Sequence, residues 1–364
     1  MNNSTLRKAD AAKNDEFYTQ YNDIQAELNC YVAYNPDVFK DKTILLPCDD
    51  PEWSNFTKFF VKNFNRYGIK KLISTSYAPN SKPKNIPYQL TLFEEESENF
   101  DKEKTYSNGK IFILERDKID TSANLDVDSL EWNYLEGDGD FRSDEIKTLR
   151  NEADFIITNP PFSLFREFVN WVNESEKKFL LIGNLNAISY SEIFPYIKNN
   201  KIWLGATNFN TGMYFRVPDS FTYAPSYKFE REQNGVKVNR VPGVCWFTNI
   251  DHGKRHAKLQ LMTEERNIKF NKKLKGEGYK KFDYIDAINV PFTDAIPSDY
   301  KGLMGVPVTF LDKYNPEQFE IVDGLNRYTI LDTLGKNDWA KSNHIHLTTV
   351  EGNPQYFRIL IKAK

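Results

Sequence analysis

The chain has 364 residues, a formal net charge of -3 and an isoelectric point near 6.0, so overall charge does not single out a polyanion-binding protein. This argues only weakly against nucleic-acid binding, because the distribution of charge matters more than its sum. Residues 1–13 lack the apolar stretch of a secretory signal and no run is long enough to cross a membrane, which predicts a cytoplasmic protein. The three cysteines form no Cys-x-x-Cys pair, and His252 and His256 share only a helical spacing, so we expect neither a disulfide framework nor a metal site.

The first predicted elements are a helix and a strand. The helix covers residues 21–34, and a strand that starts at Lys42 breaks at Pro47 and is followed by three polar residues: Cys48, Asp49 and Asp50. Ligands of open parallel sheets bind outside the carboxyl ends of the strands, so these residues are candidates for a cofactor contact. An equally good explanation is that the two aspartates cap the next helix, predicted over residues 54–67.

The next region is more polar. A strand over residues 71–75 precedes a polar excursion over about 77–110, which we interpret as an insertion. Strands over 110–115 and 131–135 follow, and the second leads into the sequence Gly-Asp-Gly-Asp-Phe at 137–141. Its two glycines allow a tight turn whose backbone can approach a planar ligand, although a plain turn explains the same residues equally well.

A short stretch around Asn159 organises the chain. Residues 155–157 are β-branched or aromatic, as in a strand covered on both faces, and Pro160 and Pro161 cannot continue its hydrogen-bond ladder. The prolines also restrict the backbone before them, so the acceptor groups here are held with little freedom. An amphipathic helix, which we expect Ser163 to cap, comes next.

This loop suits methylation of an exocyclic amine on a flat ring. An amide oxygen and a backbone carbonyl can each accept one N–H bond, which draws the nitrogen lone pair out of conjugation and aims it at a methyl donor. Phe162 can stack on the ring, which in duplex nucleic acid must first leave the helix. A simple turn is the alternative, but the strand before the loop and the helix after it favour a catalytic role. The predicted catalytic residues are Asn159, Pro160, Pro161 and Phe162.

Strands and helices keep alternating up to residue 206. Strands over 178–182 and 201–206 flank a helix over 189–197, and this alternation predicts a parallel, doubly wound α/β sheet. Beyond Asn208 the alternation stops. We expect residues 212–217 and 244–249 to form a hairpin-like closing edge, and the remainder to form a small mixed region.

Residues 251–283 are basic, with ten Lys or Arg against five acidic residues. A solvated face explains such a run by default. Next to a loop that methylates amines, the run also predicts a surface that contacts phosphates. The candidate DNA-binding residues are Lys254, Arg255, Lys258, Lys269, Lys272 and Lys273.

Several runs resemble the adenine-specific DNA methyltransferases of the EcoRI modification-enzyme type. The matching runs are residues 15–21, Cys48-Asp49-Asp50-Pro51, 159–167, 201–205, Gly305-Val306-Pro307 and 356–362. The resemblance implies a Rossmann-like S-adenosylmethionine-dependent methyltransferase domain over residues 1–250 and a target-recognition region over 251–364. It also implies double-stranded DNA as partner, a flipped-out adenine as target, and N6-methyladenine and S-adenosylhomocysteine as products.

The same resemblance implies particular cofactor contacts and a biological setting. Residues Phe17, Tyr18 and Thr19, together with Cys48, Asp49 and Asp50, would contact the methionine and ribose parts of the cofactor, and Asp140 with Phe141 would hold its adenine. The expected setting is restriction–modification or a related DNA-modification role, with a monomeric enzyme and a cognate restriction endonuclease as partner.

The chain departs from the wider methyltransferase pattern in two places. Residues Pro47 to Asp50 replace the glycine-rich turn after the first strand, and the strand at 71–75 ends without the acidic residue that often binds the ribose. Two other functions are compatible with the motif: methylation of a protein glutamine or an RNA base, and DNA binding without catalysis. The intact loop from Asn159 to Phe162 argues against the second.

Overall fold

The structure is a computed structural model that describes residues 18–78, 100–119, 125, 131–207, 209, 211–216, 230–233 and 236–364. The α-helices in this part of the chain are α1 (Tyr21–Tyr34), α2 (Asn55–Asn63), α3 (Lys104–Ser107), α4 (Asp144–Glu152), α5 (Phe165–Asn173), α6 (Phe194–Lys198), α7 (Glu264–Phe270) and α8 (Asn337–Ser342).

The strands fall into four sheets. In chain order they are β1 (Tyr18–Thr19), β2 (Thr43–Leu46), β3 (Lys71–Thr75), β4 (Lys110–Glu115), β5 (Asn133–Tyr134), β6 (Phe155–Thr158), β7 (Lys178–Asn184), β8 (Trp203–Leu204), β9 (Met213–Arg216), β10 (Glu230–Gln233), β11 (Val236–Val241), β12 (Val244–Thr248), β13 (Ala287–Asn289), β14 (Leu303–Pro307), β15 (Phe319–Leu325), β16 (Thr349–Val350), β17 (Asn353–Pro354) and β18 (Arg358–Ala363).

The chain divides into two compact units. The first unit contains residues 1–184 and 207–250, and the second contains residues 185–206 and 251–364. One division falls between Ile250 and Asp251, and residues 185–206 join the second unit. The assignment of residues 251–364 to target recognition stays a prediction.

The main sheet of the first unit confirms the α/β fold class. Its strands are ordered β5-β4-β3-β2-β6-β7-β12. The central strands β3, β2, β6 and β7 are parallel, and β2 and β6 are buried along their whole length. The carboxyl ends of these four strands therefore meet at one edge, where ligands of such sheets bind.

Aromatic side chains make up much of the core that covers this sheet. Helix α2 buries Phe56, Phe59 and Phe60, with ring centroids of Phe59 and Phe60 5.4 Å apart. Fully burying one such side chain contributes roughly 1.5–3 kcal/mol. The high aromatic content of the sequence, 15 %, is thus used in packing the helix that follows β2.

The margins of the sheet differ from the expected all-parallel arrangement. Strand β4 is antiparallel to β3, β5 is antiparallel to β4, and β12 is antiparallel to β7. The predicted closing edge was wrong in its pairing, because β9 does not join β12. Instead β9 belongs to a separate antiparallel sheet ordered β1-β9-β11-β10, in which β11 lies next to β9.

Several helix boundaries differ from the predicted ones, and the helix expected over 54–67 ends at Asn63. The helix predicted over 189–197 is a 3₁₀ turn at Leu185–Ser189 followed by the short helix α6, which starts where Pro195 can occupy an early position. Helix α5 begins at Phe165 after a 3₁₀ turn at Phe162–Leu164, so Leu164, and not Ser163, occupies the cap position.

The second unit is built around a mixed sheet ordered β13-β14-β18-β15. A small mixed region was expected here from the sequence. Strand β18 pairs antiparallel with β14 on one side and β15 on the other. Its apolar residues Ile359, Leu360 and Ile361 are fully buried. Helix α8 contributes Ala340 to the same core as Leu360.

Candidate active site

The predicted catalytic loop follows β6 at the carboxyl edge of the sheet. Strand β6 ends at Thr158, and residues Asn159, Pro160 and Pro161 lead directly into the 3₁₀ turn. The carbonyl of Pro161 accepts the Leu164 N–H at 3.0 Å, which closes that turn. The strand–loop–helix context expected from the sequence is therefore present.

Phe162 occupies an intermediate position between core and solvent. It is half-buried and packs against the hydrophobic core of the first unit. Behind it, α5 turns Phe165, Phe168, Val169 and Val172 inward, which are the four residues expected to share a face. Phe162 is thus supported by this core while part of its surface stays accessible.

The loop after β2 lies beside the predicted catalytic loop, because β2 and β6 are neighbouring parallel strands. The Asp49 side chain joins the two. Its Oδ2 accepts a hydrogen bond of 2.6 Å from the Thr158 hydroxyl, and its Oδ1 accepts one of 2.7 Å from the Ser54 hydroxyl. Asp49 is only 5 % exposed, and this burial raises the pKa of its carboxyl to about 7, although both hydroxyls oppose the rise.

The backbone of Asp49 is fixed by hydrogen bonds to β3, and one of them comes from a hydroxyl group. Its N–H donates to the Thr75 carbonyl at 2.9 Å, and its carbonyl accepts the Ser74 hydroxyl at 2.5 Å. Thr57 in turn contacts Ser74 at 2.7 Å. Sequence reasoning missed these hydroxyl residues. The available signal was a run of Ser and Thr at the ends of strands otherwise rich in Ile and Leu, where a buried hydroxyl needs a partner.

The other residues after β2 have separate positions. Oδ1 of Asp50 accepts hydrogen bonds from the N–H groups of Glu52 and Trp53, at 2.9 and 3.3 Å, and so stabilises the loop. The cap of α2 is Ser54, whose hydroxyl accepts from the Phe56 N–H at 3.0 Å, so neither aspartate caps this helix. Burial raises the pKa of the Cys48 thiol far above its usual value, which keeps the thiol protonated.

Thr19, which precedes α1, lies next to the start of α2, the helix that follows the loop after β2. Asn55, the first residue of α2, donates to the Thr19 carbonyl at 2.7 Å. The Thr19 hydroxyl is buried and has no hydrogen-bond partner among the residues that the structure describes. Only the backbone of Tyr18 is described, and Phe17 lies outside the described residues.

The turn at residues 137–141 packs against the carboxyl end of β3. Gly139 has φ +81°, and a Cβ there would lie 2.1 Å from the Ser76 carbonyl oxygen. The Ala78 N–H donates to the Asp138 carbonyl at 2.7 Å. Only glycine allows this close approach, so the turn is held beside the ends of β2 and β3.

Asp140 and Phe141 are both engaged with neighbours. Arg142 donates to both carboxylate oxygens of Asp140, at 2.9 and 2.7 Å, and these bonds hold the pKa of the Asp140 carboxyl below its usual value. Phe141 is 5 % exposed, and its ring centroid lies 5.0 Å from that of Phe168. The pair is therefore anchored to the helix that follows the catalytic loop.

The predicted DNA-binding residues fall into two groups within the second unit. Lys254 forms an ion pair of 2.5 Å with Asp312, and Arg255 stacks 3.6 Å over the Trp203 ring with only 10 % of its side chain exposed. The remaining four are exposed and form no ion pair within the described part of the chain: Lys258, Lys269, Lys272 and Lys273.

The described residues contain neither a metal-binding cluster nor a membrane-spanning helix. There, no group of three or more His, Cys, Asp or Glu side chains could hold a metal ion. Nε2 of His252 lies 3.1 Å from the Leu204 carbonyl, so this ring has a protein partner. In the same residues no helix is both long and apolar enough to cross a membrane.

Comparison with known proteins decides the family. The model of the family described as adenine-specific methyltransferase EcoRI matches residues 5–364. The chain belongs to this family. It is therefore an adenine-specific DNA methyltransferase, as the motifs and their resemblance predicted.

Full-length relatives agree with this EcoRI-type assignment. The chain is 39 % identical over 363 residues to the type II methyltransferase M.EcoRI of Escherichia coli, covering 100 % of this chain and 97 % of that protein. It is 36 % identical over 361 residues to the type II methyltransferase M.MpnI of Mycoplasma pneumoniae, covering 99 % and 98 %. No solved structure matches the chain.

Proposed function

We propose that this enzyme transfers a methyl group from S-adenosylmethionine to the N6 amine of a flipped-out adenine in double-stranded DNA. The observation that carries the proposal is the placement of Asn159 to Phe162 next to the Cys48–Asp50 loop, at the ends of two adjacent parallel strands. This geometry brings an amine-orienting loop beside a cofactor-binding edge within an adenine-specific methyltransferase.

The residues at this edge suit the proposed cofactor. The buried Thr19 hydroxyl, which lacks a described partner, offers a polar contact. Cys48, Asp49 and Asp50 follow β2, and Asp140 with Phe141 closes the neighbouring turn. Tyr18, Thr19 and residues 48–50 would contact the methionine and ribose parts of the cofactor, and residues 140–141 would hold its adenine. When bound, S-adenosylmethionine supplies an electrophilic methyl group.

Asn159 and its proline neighbours orient the target amine. The Asn159 side-chain oxygen and the Pro160 carbonyl each accept one N–H of the amine, which makes the nitrogen lone pair available to the methyl group. Pro160 is buried and Pro161 fixes the following turn, so the acceptors need no reordering when the base arrives. No strong base is required for this step.

Phe162 provides a stacking surface for the extruded adenine. Extrusion costs a few kcal/mol, and stacking on an aromatic ring recovers about 1–3 kcal/mol. The half-buried position of Phe162 suits this role, because its supported ring keeps part of its surface accessible.

Phosphate contacts come from the second unit. Lys258, Lys269, Lys272 and Lys273 are exposed and carry charges that no described acid neutralises, so they can bind DNA phosphates without breaking an ion pair. Lys254 and Arg255 are already held by Asp312 and Trp203, and we assign them a supporting position. The enzyme would act as a monomer in restriction–modification or a related DNA-modification role, with a restriction endonuclease as cognate partner.

The test is incubation of the purified protein with S-adenosylmethionine labelled in its methyl group and with DNA, RNA or protein as acceptor. We expect label in duplex DNA, recovered as N6-methyladenine after digestion. Label confined to RNA or to a protein glutamine would overturn the proposal, and binding of DNA without any transfer would support a noncatalytic module.

A further inference from the structure

A buried carboxylate connects the two loops that meet at the active site. Asp49 is 5 % exposed, and its two oxygens each accept one hydroxyl: Thr158 at 2.6 Å and Ser54 at 2.7 Å. Thr158 is completely buried. Of these three side chains, the proposed function uses only Asp49, as one of the residues that would contact the cofactor.

The position of Thr158 gives the contact its importance. Thr158 is the last residue of β6 and immediately precedes Asn159, so a rotation of its backbone displaces the Asn159 amide. On the other side, Asp49 is anchored to β3 through its N–H and carbonyl, at 2.9 Å from Thr75 and 2.5 Å from Ser74. The Asp49 carboxylate is therefore held in place, and its hydrogen bond from Thr158 restrains the start of the catalytic loop.

Small displacements are costly at such a position. Moving a reacting group by about 1 Å can lower a rate roughly a hundredfold. We propose that Asp49 is a positioning residue that holds Asn159 in its productive place through the Thr158 hydroxyl, with Ser54 fixing the other carboxylate oxygen. This inference rests on the proposed function.

The ionised form of Asp49 suits this role. A carboxylate accepts from both hydroxyls, whereas its protonated form must place a proton on one of the two oxygens. Burial and the nearby Asp50 raise the pKa of the Asp49 carboxyl, whereas the hydrogen bonds from Thr158 and Ser54 lower it. Burial and the charges of Asp49 and Asp140 raise the pKa of the adjacent Cys48 thiol, which stays neutral. Loss of the Thr158 hydroxyl should therefore move the Asp49 pKa further upward.

The experiment compares Thr158→Val, which removes the hydroxyl at nearly constant volume, with Thr158→Ser, which keeps it. Single-turnover transfer from labelled S-adenosylmethionine to unmethylated genomic DNA should fall at least about tenfold in Thr158→Val, while the dissociation constant of the cofactor changes less than about threefold. Thr158→Ser should recover most of the wild-type rate. Equal rates for Thr158→Val and the wild type would overturn the inference, as would a Thr158→Ser variant that is as slow as Thr158→Val.

A second readout does not depend on activity. The Asp49 carboxyl carbon, labelled with ¹³C and assigned with Asp49→Asn, should titrate at higher pH in Thr158→Val than in the wild type. An unchanged titration would show that the hydroxyl does not support the carboxylate. A wild-type protein that transfers no methyl group to DNA would refute the proposed function. The titration would still test the hydrogen bond between Thr158 and Asp49.

If Thr158→Val does not fold, the wild type and Asp49→Asn still decide the matter. The wild-type single-turnover rate should rise as pH increases through about 7, where Asp49 ionises. Asp49→Asn should lack that rise, and a rise of the same size in both proteins would contradict the positioning role.

Discussion

The Thr158 hydroxyl donates a hydrogen bond of 2.6 Å to Asp49 Oδ2, linking residues that are 109 positions apart in the chain. Thr158 precedes the loop that we propose orients the target amine, and Asp49 lies in the loop proposed to contact the cofactor. Two strand ends thus share one buried polar contact. Under the proposed function, this link fixes the relative position of the two loops before the methyl donor or the target base binds.

The buried Asp49 carboxyl should make stability depend on pH. Its folded-state pKa, about 7, is above the value of about 3.9 expected in an unfolded chain. The unfolded state therefore loses its proton first as pH rises. The free energy of unfolding should decrease between about pH 4 and pH 7, by at most ~1.4 kcal/mol per pH unit from this group.

Urea denaturation across this range measures the effect, with Asp49→Asn as the control because asparagine does not titrate. The wild type should lose more stability than Asp49→Asn between pH 4 and pH 7. Parallel curves for the two proteins would show that Asp49 does not carry the dependence.

Asn159→Ala should abolish methyl transfer while cofactor affinity stays close to that of the wild type, since we propose that the amide acts on the target amine. Losing such a contact in a water-excluded site costs on the order of 3 kcal/mol, or a hundredfold or more in rate. Rate is measured by single turnover and affinity by calorimetry. Asn151→Ala, an exposed substitution at the end of α4, is the control, and near-normal turnover by Asn159→Ala would reject the role.

Phe162→Ala should slow turnover and weaken base extrusion, whereas Phe162→Tyr should be milder because a ring remains. The probe is 2-aminopurine at the target position, whose fluorescence rises when it leaves the stack. Tyr34→Ala removes an exposed aromatic from α1 and should have no effect. If Phe162→Ala methylates normal duplex as fast as the wild type, the stacking role is wrong.

The exposed lysines of the second unit should determine the salt dependence of DNA binding. Each of Lys269→Gln, Lys272→Gln and Lys273→Gln should reduce the slope of log affinity against log salt by roughly one. Lys281→Gln is a matched control, because Lys281 is paired with Asp286 at 2.9 Å. Equal changes in the control and in the three variants would mean that this surface has no special part in binding.

Gly139→Ala should destabilise the first unit more than Gly243→Ala. Both glycines have positive φ, +81° and +76°, so both substitutions carry a backbone cost of roughly 1–2 kcal/mol. Only at Gly139 would the added carbon also lie 2.1 Å from the Ser76 carbonyl oxygen. Urea midpoints of the two variants measure the difference, and equal midpoints would show that the turn can move away from β3.

Much of the first unit could be predicted from local sequence. Helix α1 and strands β3 and β4 have the expected ends, because Asn35 and Pro36 stop the helix and β-branched runs mark the strands. The end of β6 and the loop after it were recognisable for the same reason, because two prolines directly follow a buried strand, and the catalytic role of that loop stays a prediction.

Long-range pairing was harder to predict. The sequence of β9 does not reveal which strand it pairs with, and its partner β11 lies in the segment between the two strands expected to form the closing edge. Strand sequence encodes burial more clearly than the identity of the partner. The bridge from Thr158 to Asp49 escaped prediction too, because a hydroxyl at a strand end has no partner until the fold brings one across 109 residues.

The most direct test of the account is methylation-aware sequencing of DNA from cells that express the wild type or Asn159→Ala in a host without other adenine methylation. The account predicts N6-methyladenine at one defined position of one recurring sequence in the wild-type sample and none in the Asn159→Ala sample. Unmethylated adenine throughout the wild-type sample, or the same methylation pattern in both samples, would contradict it.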